Sequence, residues 1–387
     1  MPPSAPSGLT ATLFLFTLLP ALLLVTVGFL AFRTAKSMPQ LRRPLQAATA
    51  AALLLAGLLV GLALVEGTFR ILVPGGYFHF RPVEGSSAEA IVERLPDGQA
   101  WWEYRDARGF DSEGVRTGLP RSKDPALRVV ILGDSVTYGV HLEVEQSFPS
   151  LLGRLLEQRC GAIDLVNLAV PGYSSLQERL SLERKGLAAR PDIVLVGVFS
   201  NDMARYTVIG NTAFDIRLKE RDDVPAFSLL PLPDAVNRFL VAQSAFYQFL
   251  TLKALAASDR ESGEDVGQLE ASVAELQRIQ ELTENAGAKL VVVLFPMLDR
   301  PWSDGEDEST AHYYSRLRTW ASTRPVTLID LRPLLADHPA DTLRIDDCCH
   351  LNPLGHTVVA DLLLEQLDAA GLLDRCRASA TTGRKAP

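Results

Sequence analysis

The chain has 387 residues, 47% of them hydrophobic and 22% charged, enough for one sizeable α/β domain with accessories. Its net charge of −8 at pH 7, with no basic stripe in the body of the chain, argues against nucleic acid as a partner. Mean hydropathy is +0.12, high for a soluble enzyme, and the apolar excess lies at the N-terminus.

Residues 9–32 and 45–65 carry no charged side chain. As helices, each is long enough to cross a hydrocarbon core of about 30 Å. Arg33, Lys36, Arg42 and Arg43 lie between them, while residues 1–8 are uncharged. The positive-inside rule puts this basic turn in the cytoplasm and everything after residue 66 outside. Residues 1–73 therefore read as a two-span, multi-pass anchor in the cytoplasmic membrane. A cleaved signal peptide is the rival reading. It is opposed by the lack of Lys or Arg before the first run and by the length of that run. Gly57 and Gly61 form a G-x-x-x-G pair suited to close helix packing, although small residues are common in such helices anyway.

Residues 74–126 read as an extracytoplasmic connector. They are rich in Gly, Pro and charge, are aperiodic, and hold isolated aromatics such as Tyr77, Phe78, Trp101 and Trp102. An irregular segment packed through its aromatics is expected. From Arg128 the pattern changes. Five short apolar runs, 128–132, 163–168, 193–199, 289–295 and 326–331, read as strands buried on both faces. Amphipathic stretches near 147–159, 175–188, 264–286, 311–322 and 354–371 read as helices. This alternation predicts an α/β domain over 127–376 with a doubly wound, parallel five-stranded sheet. A long insertion over about 203–262, with an amphipathic stretch near 234–257, is a candidate lid or substrate wall. The tail 377–387 reads as disordered.

In an open α/β sheet, ligands bind at the carboxyl ends of the strands. The first strand ends in Gly133-Asp134-Ser135, the second in a loop holding Gly172, and the third in Ser200-Asn201-Asp202. The loop after the fifth holds Asp346-Asp347-Cys348-Cys349-His350. These types meet a chemical need. A serine hydroxyl is a poor nucleophile without an adjacent base. His350 supplies one, with Asp347 to fix its tautomer and stabilise its cation. The oxyanion of a tetrahedral intermediate needs donors set in advance. The backbone N–H groups of Ser135 and Gly172 and the side-chain amide of Asn201 suit that role.

The run VVILGDSVTYG resembles the first sequence block of the SGNH (GDSL-type) hydrolases, with Ser135 at the nucleophile position. NLAVPGYSSLQE resembles their second block, with Gly172 as oxyanion glycine. VFSNDM resembles the third, with Asn201 as oxyanion asparagine. DDCCHLNPLGH resembles the fifth, with Asp347 and His350 as its D-x-x-H pair. The resemblance covers about 126–371 and implies a flavodoxin-like sheet and a serine esterase without a cofactor. One departure is Phe199, which stands where the third block usually has Gly and is expected to narrow or reshape the pocket beside Asn201.

Each residue also has a bland reading. Ser135 alone is a turn or cap residue, Asn201 a helix cap, and Gly172 a left-handed turn residue. Asp346 reads as a residue that only solvates its loop. Tyr138 and His141 read as pocket wall or surface, and His356 as a packing or capping residue. Asp346, Asp347, Cys348, Cys349, His350 and His356 hold metal-ligand types, but adjacent cysteines do not match zinc-site spacing, so no metal is expected. The expected substrate is an ester-bearing small molecule, lipid or envelope glycan outside the membrane. Acyl transfer to a polysaccharide hydroxyl is the alternative reaction, and a catalytically silent binding or assembly protein the alternative class. With strand order 2-1-3-4-5, the helices ending near Cys160 and before Cys376 lie side by side, which predicts a Cys160–Cys376 disulfide in an oxidising compartment. Cys348 and Cys349 either pair locally or stay reduced.

Overall fold

The computed structural model describes residues 19–72, 91–96, 99–106, 109–203, 206–209, 212–215, 233, 236–237, 239–240, 244–250, 266–305, 308–346 and 349–376. The chain divides into two compact units, residues 1–79 with 227–256, and residues 80–226 with 257–387.

In the first unit, helices α1 (Leu19–Ser37) and α2 (Arg42–Leu72) form a hairpin. Both are long and apolar enough to cross a membrane, and most of their Leu, Val and Phe side chains face outward. Their close approach does not use Gly57 or Gly61, since a Cβ added at either would meet nothing within 4 Å. It uses Gly28, where an added Cβ would lie 3.5 Å from that of Ala52, and where Thr49 Oγ1 donates to the Gly28 carbonyl at 3.2 Å. Part of the sequence insertion belongs to this unit. Glu66, near the end of α2, accepts hydrogen bonds from Ser244 Oγ (2.7 Å) and from the backbone N–H of Ala245 (2.9 Å) and Phe246 (3.1 Å). These are the free donors at the start of helical stretch 245–250, so the carboxylate caps that stretch. Phe69 packs on Phe246 and Phe249 beside it.

The second unit is built on β3 (Leu127–Gly133), β4 (Ile163–Asn167), β5 (Ile193–Val198), β8 (Lys289–Leu294) and β9 (Val326–Asp330). They form one parallel sheet in the order β4-β3-β5-β8-β9, the doubly wound order expected from the sequence. The strands are continuous apolar runs because both faces are covered. Val129, Ile131, Leu195, Val291 and Val293 pack toward α4 (Phe148–Cys160) and α8 (Pro353–Ala369). Val130, Leu132, Val194, Val196 and Val292 pack toward α5 (Ser175–Arg184), α6 (Val266–Asn285) and α7 (Glu308–Ser322). Burying each such side chain contributes about 1.5–3 kcal/mol. Phe199 joins the first of these layers with Phe148 and Phe295. It therefore fills core on that face of the sheet.

The connector is more ordered than its aperiodic sequence suggests. Ile91–Arg94 (β1) pairs antiparallel with Ala100–Glu103 (β2). Trp101, Trp102 and Glu103 of β2 are buried. Strands β6 (Tyr206–Ile209) and β7 (Thr212–Asp215) form a second small hairpin within the stretch read as an insertion. At the sheet edge opposite the loops that hold Ser135 and His350, Cys160 at the end of α4 bonds Cys376 beyond α8, with Cα atoms 4.4 Å apart, as the strand order predicted. Cys349 is also disulfide-bonded. Cys348 and the tail 377–387 lie outside the described residues.

Candidate active site

Ser135 opens a four-residue helix, α3 (Ser135–Tyr138), at the carboxyl end of β3. Asp134 caps it, with Oδ1 accepting from the Val136 N–H at 2.9 Å. The turn is tight enough to require Gly133, because a Cβ there would meet Thr137 Oγ1 at 2.2 Å. The fold thus turns the chain sharply at the strand end and presents the serine half-buried at the loop edge.

His350 arrives from the loop after β9. That loop is pinned by the isolated bridge Arg344–Leu351 and by the Ile345 N–H donating to the His350 carbonyl at 2.9 Å. His350 Nε2 lies 2.9 Å from Ser135 Oγ. On the other side of the ring, Nδ1 hydrogen-bonds Asp346 Oδ2. Asp346 Oδ1 meanwhile accepts from the N–H groups of Cys349 (3.0 Å) and His350 (3.2 Å). Asp346 therefore does more than solvate the loop, the one role that the sequence reading gave it. The turn folds its carboxylate back over the residues that follow, and onto the imidazole. Asp347, read from the sequence as the partner of His350, lies outside the described residues.

Gly172 adopts a left-handed backbone, φ +83°, which an L side chain rarely takes. Its loop is braced by the unforeseen hairpin. The Tyr173 hydroxyl donates to the Trp102 carbonyl, and the two rings meet edge to face at 5.2 Å. Gln177 Nε2 donates to the Ala100 carbonyl at 2.6 Å. No sequence spacing signals this support. Asn201 stands in the single 3-10 turn Ser200–Met203 after β5. Its side chain hydrogen-bonds Asp134, which helps to offset the desolvation of that carboxyl. An amide NH2 has a second donor to offer.

The surroundings are electrostatically uneven. Burial raises the pKa of Asp134, although its hydrogen bonds and the nearby His350 counteract this. Burial, then charge repulsion, pushes Glu178 and Asp202 well above the usual carboxylate range. His356 is buried, with Nδ1 accepting from the Phe148 N–H at 3.0 Å. Its pKa is pushed down to about 3, mainly by desolvation, which fits the packing role read from the sequence. Tyr138 is buried against Arg116 and Phe110. His141 is exposed and has a left-handed backbone, φ +72°. Its ring meets that of His350 edge-on at 5.9 Å.

Residues 131–358 match the family described as the GDSL-like Lipase/Acylhydrolase family. Among solved structures, the chain is similar to an acetyl xylan esterase, AlAXEase, with 17% identity and TM-score 0.41 over 62% of this chain and 98% of that one. It is similar to an acetylxylan esterase from Geobacillus stearothermophilus, with 14% identity and TM-score 0.40 over 63% and 94%. It is also similar to the psychrotrophic esterase EstA from Pseudoalteromonas sp., with 13% identity and TM-score 0.39 over 62% and 97%. No curated protein matches the chain in sequence.

Proposed function

The chain belongs to the GDSL-like lipase/acylhydrolase family and is an ester hydrolase, and from that premise we propose that it removes an ester-linked acyl group at the outer face of the cytoplasmic membrane. The observation that carries the reading is the 2.9 Å contact of Ser135 Oγ with His350 Nε2, with a carboxylate on the far side of the ring.

In this mechanism His350 takes the Ser135 proton as the hydroxyl oxygen attacks the ester carbonyl. The oxyanion is held by the Ser135 and Gly172 N–H groups and the Asn201 amide. His350 returns the proton to the departing alcohol, and water then hydrolyses the acyl-serine by the same route. The loop carboxylates keep the imidazole in the tautomer that leaves Nε2 free to accept. Asp346 makes that contact in the described loop, and Asp347 is the position that the D-x-x-H resemblance favours. The acyl group sits on a small molecule, lipid or envelope glycan. A hairpin of two apolar helices with a basic turn supports anchoring with the hydrolase unit outside.

The test is turnover of short-chain aryl esters by the purified full chain, with and without candidate glycans. Ser135→Ala is expected to lower turnover by at least about 10⁴-fold, and Asn201→Ala by about 10²–10³-fold, because two backbone donors remain. Near-wild-type turnover in Ser135→Ala would sink the mechanism. Acylated glycan in place of free acid would turn hydrolysis into transfer.

A further inference from the structure

The structure assigns an inhibitory transition-metal site to the mouth of this centre, made by His141, Asp346 and His350. The inference rests on the roles proposed above for Ser135 and His350. Each of the three residues offers one donor atom, and the three donors lie within 4.8 Å of one another. His141 plays no part in the proposed acyl chemistry, yet it stands exposed with its ring against that of His350.

Two imidazoles and one carboxylate are zinc-type donors. Zn²⁺ binds them at about 2.0–2.2 Å, so a tetrahedral set has donors about 3.4 Å apart. The three donors, within 4.8 Å of one another, need to draw in by no more than about 1.4 Å to reach that spacing. Three protein donors leave a fourth position for water, the ligand count of an open zinc site. Magnesium and calcium ask for more oxygens than the cluster supplies, so selectivity should run to zinc, copper and cobalt.

Inhibition follows from what His350 is already doing. Its Nε2 is on Ser135 and its Nδ1 on Asp346. An ion gains His350 only by displacing one of those partners. If Ser135 is displaced, the lone pair that would accept its proton is taken. If Asp346 is displaced, the tautomer is no longer held. Either way the base is lost.

The full chain in detergent is titrated with Zn²⁺ in two arms. The first follows aryl-ester hydrolysis by wild type and by His141→Asn, which tolerates a left-handed backbone. The second measures Zn²⁺ bound by Ser135→Ala and by Ser135→Ala/His141→Asn in equilibrium dialysis. Zn²⁺ should inhibit wild type reversibly, with Mg²⁺ inert. The half-inhibiting concentration should rise at least about tenfold in His141→Asn, each protein being referred to its own zinc-free rate. One Zn²⁺ per chain should bind Ser135→Ala and be weakened in the double variant by the same factor. Equal inhibition of both active proteins, or no Zn²⁺ on Ser135→Ala, would overturn the site. The binding arm needs no turnover, so an inactive wild type would count against the esterase reading while leaving the zinc site testable.

Discussion

Asp134, Glu178 and Asp202 put three carboxyl groups in the interior beside Ser135, each at most 1% exposed. Both Glu178 oxygens, Asp202 Oδ1, Asn201 Oδ1 and Thr137 Oγ1 have no hydrogen-bond partner among the described residues. An ionised carboxylate is costly there, so burial holds Glu178 and Asp202 in the neutral form well above their ordinary range. The fold thus prefers the protonated groups. Their contribution to stability is complete below the unfolded-state pKa, near 4, and is lost as pH rises through the raised folded values. Glu178→Gln should accordingly flatten the fall in thermal midpoint as pH rises above about 4.3, the unfolded-state value of a glutamate. A profile parallel to wild type would remove Glu178 from the cause. His356 acts with the opposite sign. Its neutral ring accepts the Phe148 N–H, and its depressed pKa makes stability fall as pH drops from about 6.5 toward about 3. At the catalytic loop, Asp346→Asn should lower kcat by up to about 10⁴-fold, the cost of losing a tautomer-holding carboxylate, and Asp347→Asn by less. The reverse ranking would return the role to Asp347.

Among the elements, the cap that Glu66 gives to stretch 245–250 is the most exposed to a single change. Glu66→Ala leaves the Ala245 and Phe246 N–H groups and the Ser244 hydroxyl without their acceptor. It should cost about 1 kcal/mol, read as faster amide hydrogen exchange over 245–250 in the detergent-solubilised chain. Unchanged exchange would mean that the Phe69 contacts alone hold the stretch. The elements also show what a sequence can and cannot convey. The five central strands were legible because burial on both faces leaves an unbroken apolar run, and, with the order 2-1-3-4-5 assumed, right-handed crossovers put the two disulfide-bearing helices side by side. Hairpin β1–β2 was not, since four-residue strands are too short to display a period and Trp101 and Trp102 point to burial without naming an element. The site residues were legible as types at strand ends. The contact of Asp346 with His350 was not, because adjacent identical side chains differ only in how the loop turns. Gly28 prevailed over the G-x-x-x-G pair because helix rotation decides which small residues meet, and composition does not encode rotation.

For the whole molecule, charge placement yields the topology test. Four basic residues in and beside the turn between the spans predict that a reporter active only outside the cytoplasm works when fused after Pro387 and fails when inserted near Met38. The reverse pattern would put the hydrolase unit in the cytoplasm and remove the envelope substrate. The Cys160–Cys376 bond gives the chain a further property, that of a tadpole. Its tail runs from the first residue through the anchor and the nucleophile to Cys160, and its closed ring carries His350. One peptide bond cut anywhere in the ring leaves a two-chain molecule that cannot come apart, a single band on a gel until thiol splits it. One cut in the tail between residues 73 and 126 breaks the covalent link from α1 and α2 to the ring while Ser135 and His350 stay on the same piece, and the Glu66 cap on stretch 245–250 then still ties the two pieces. No single cut in the ring separates Ser135 from His350.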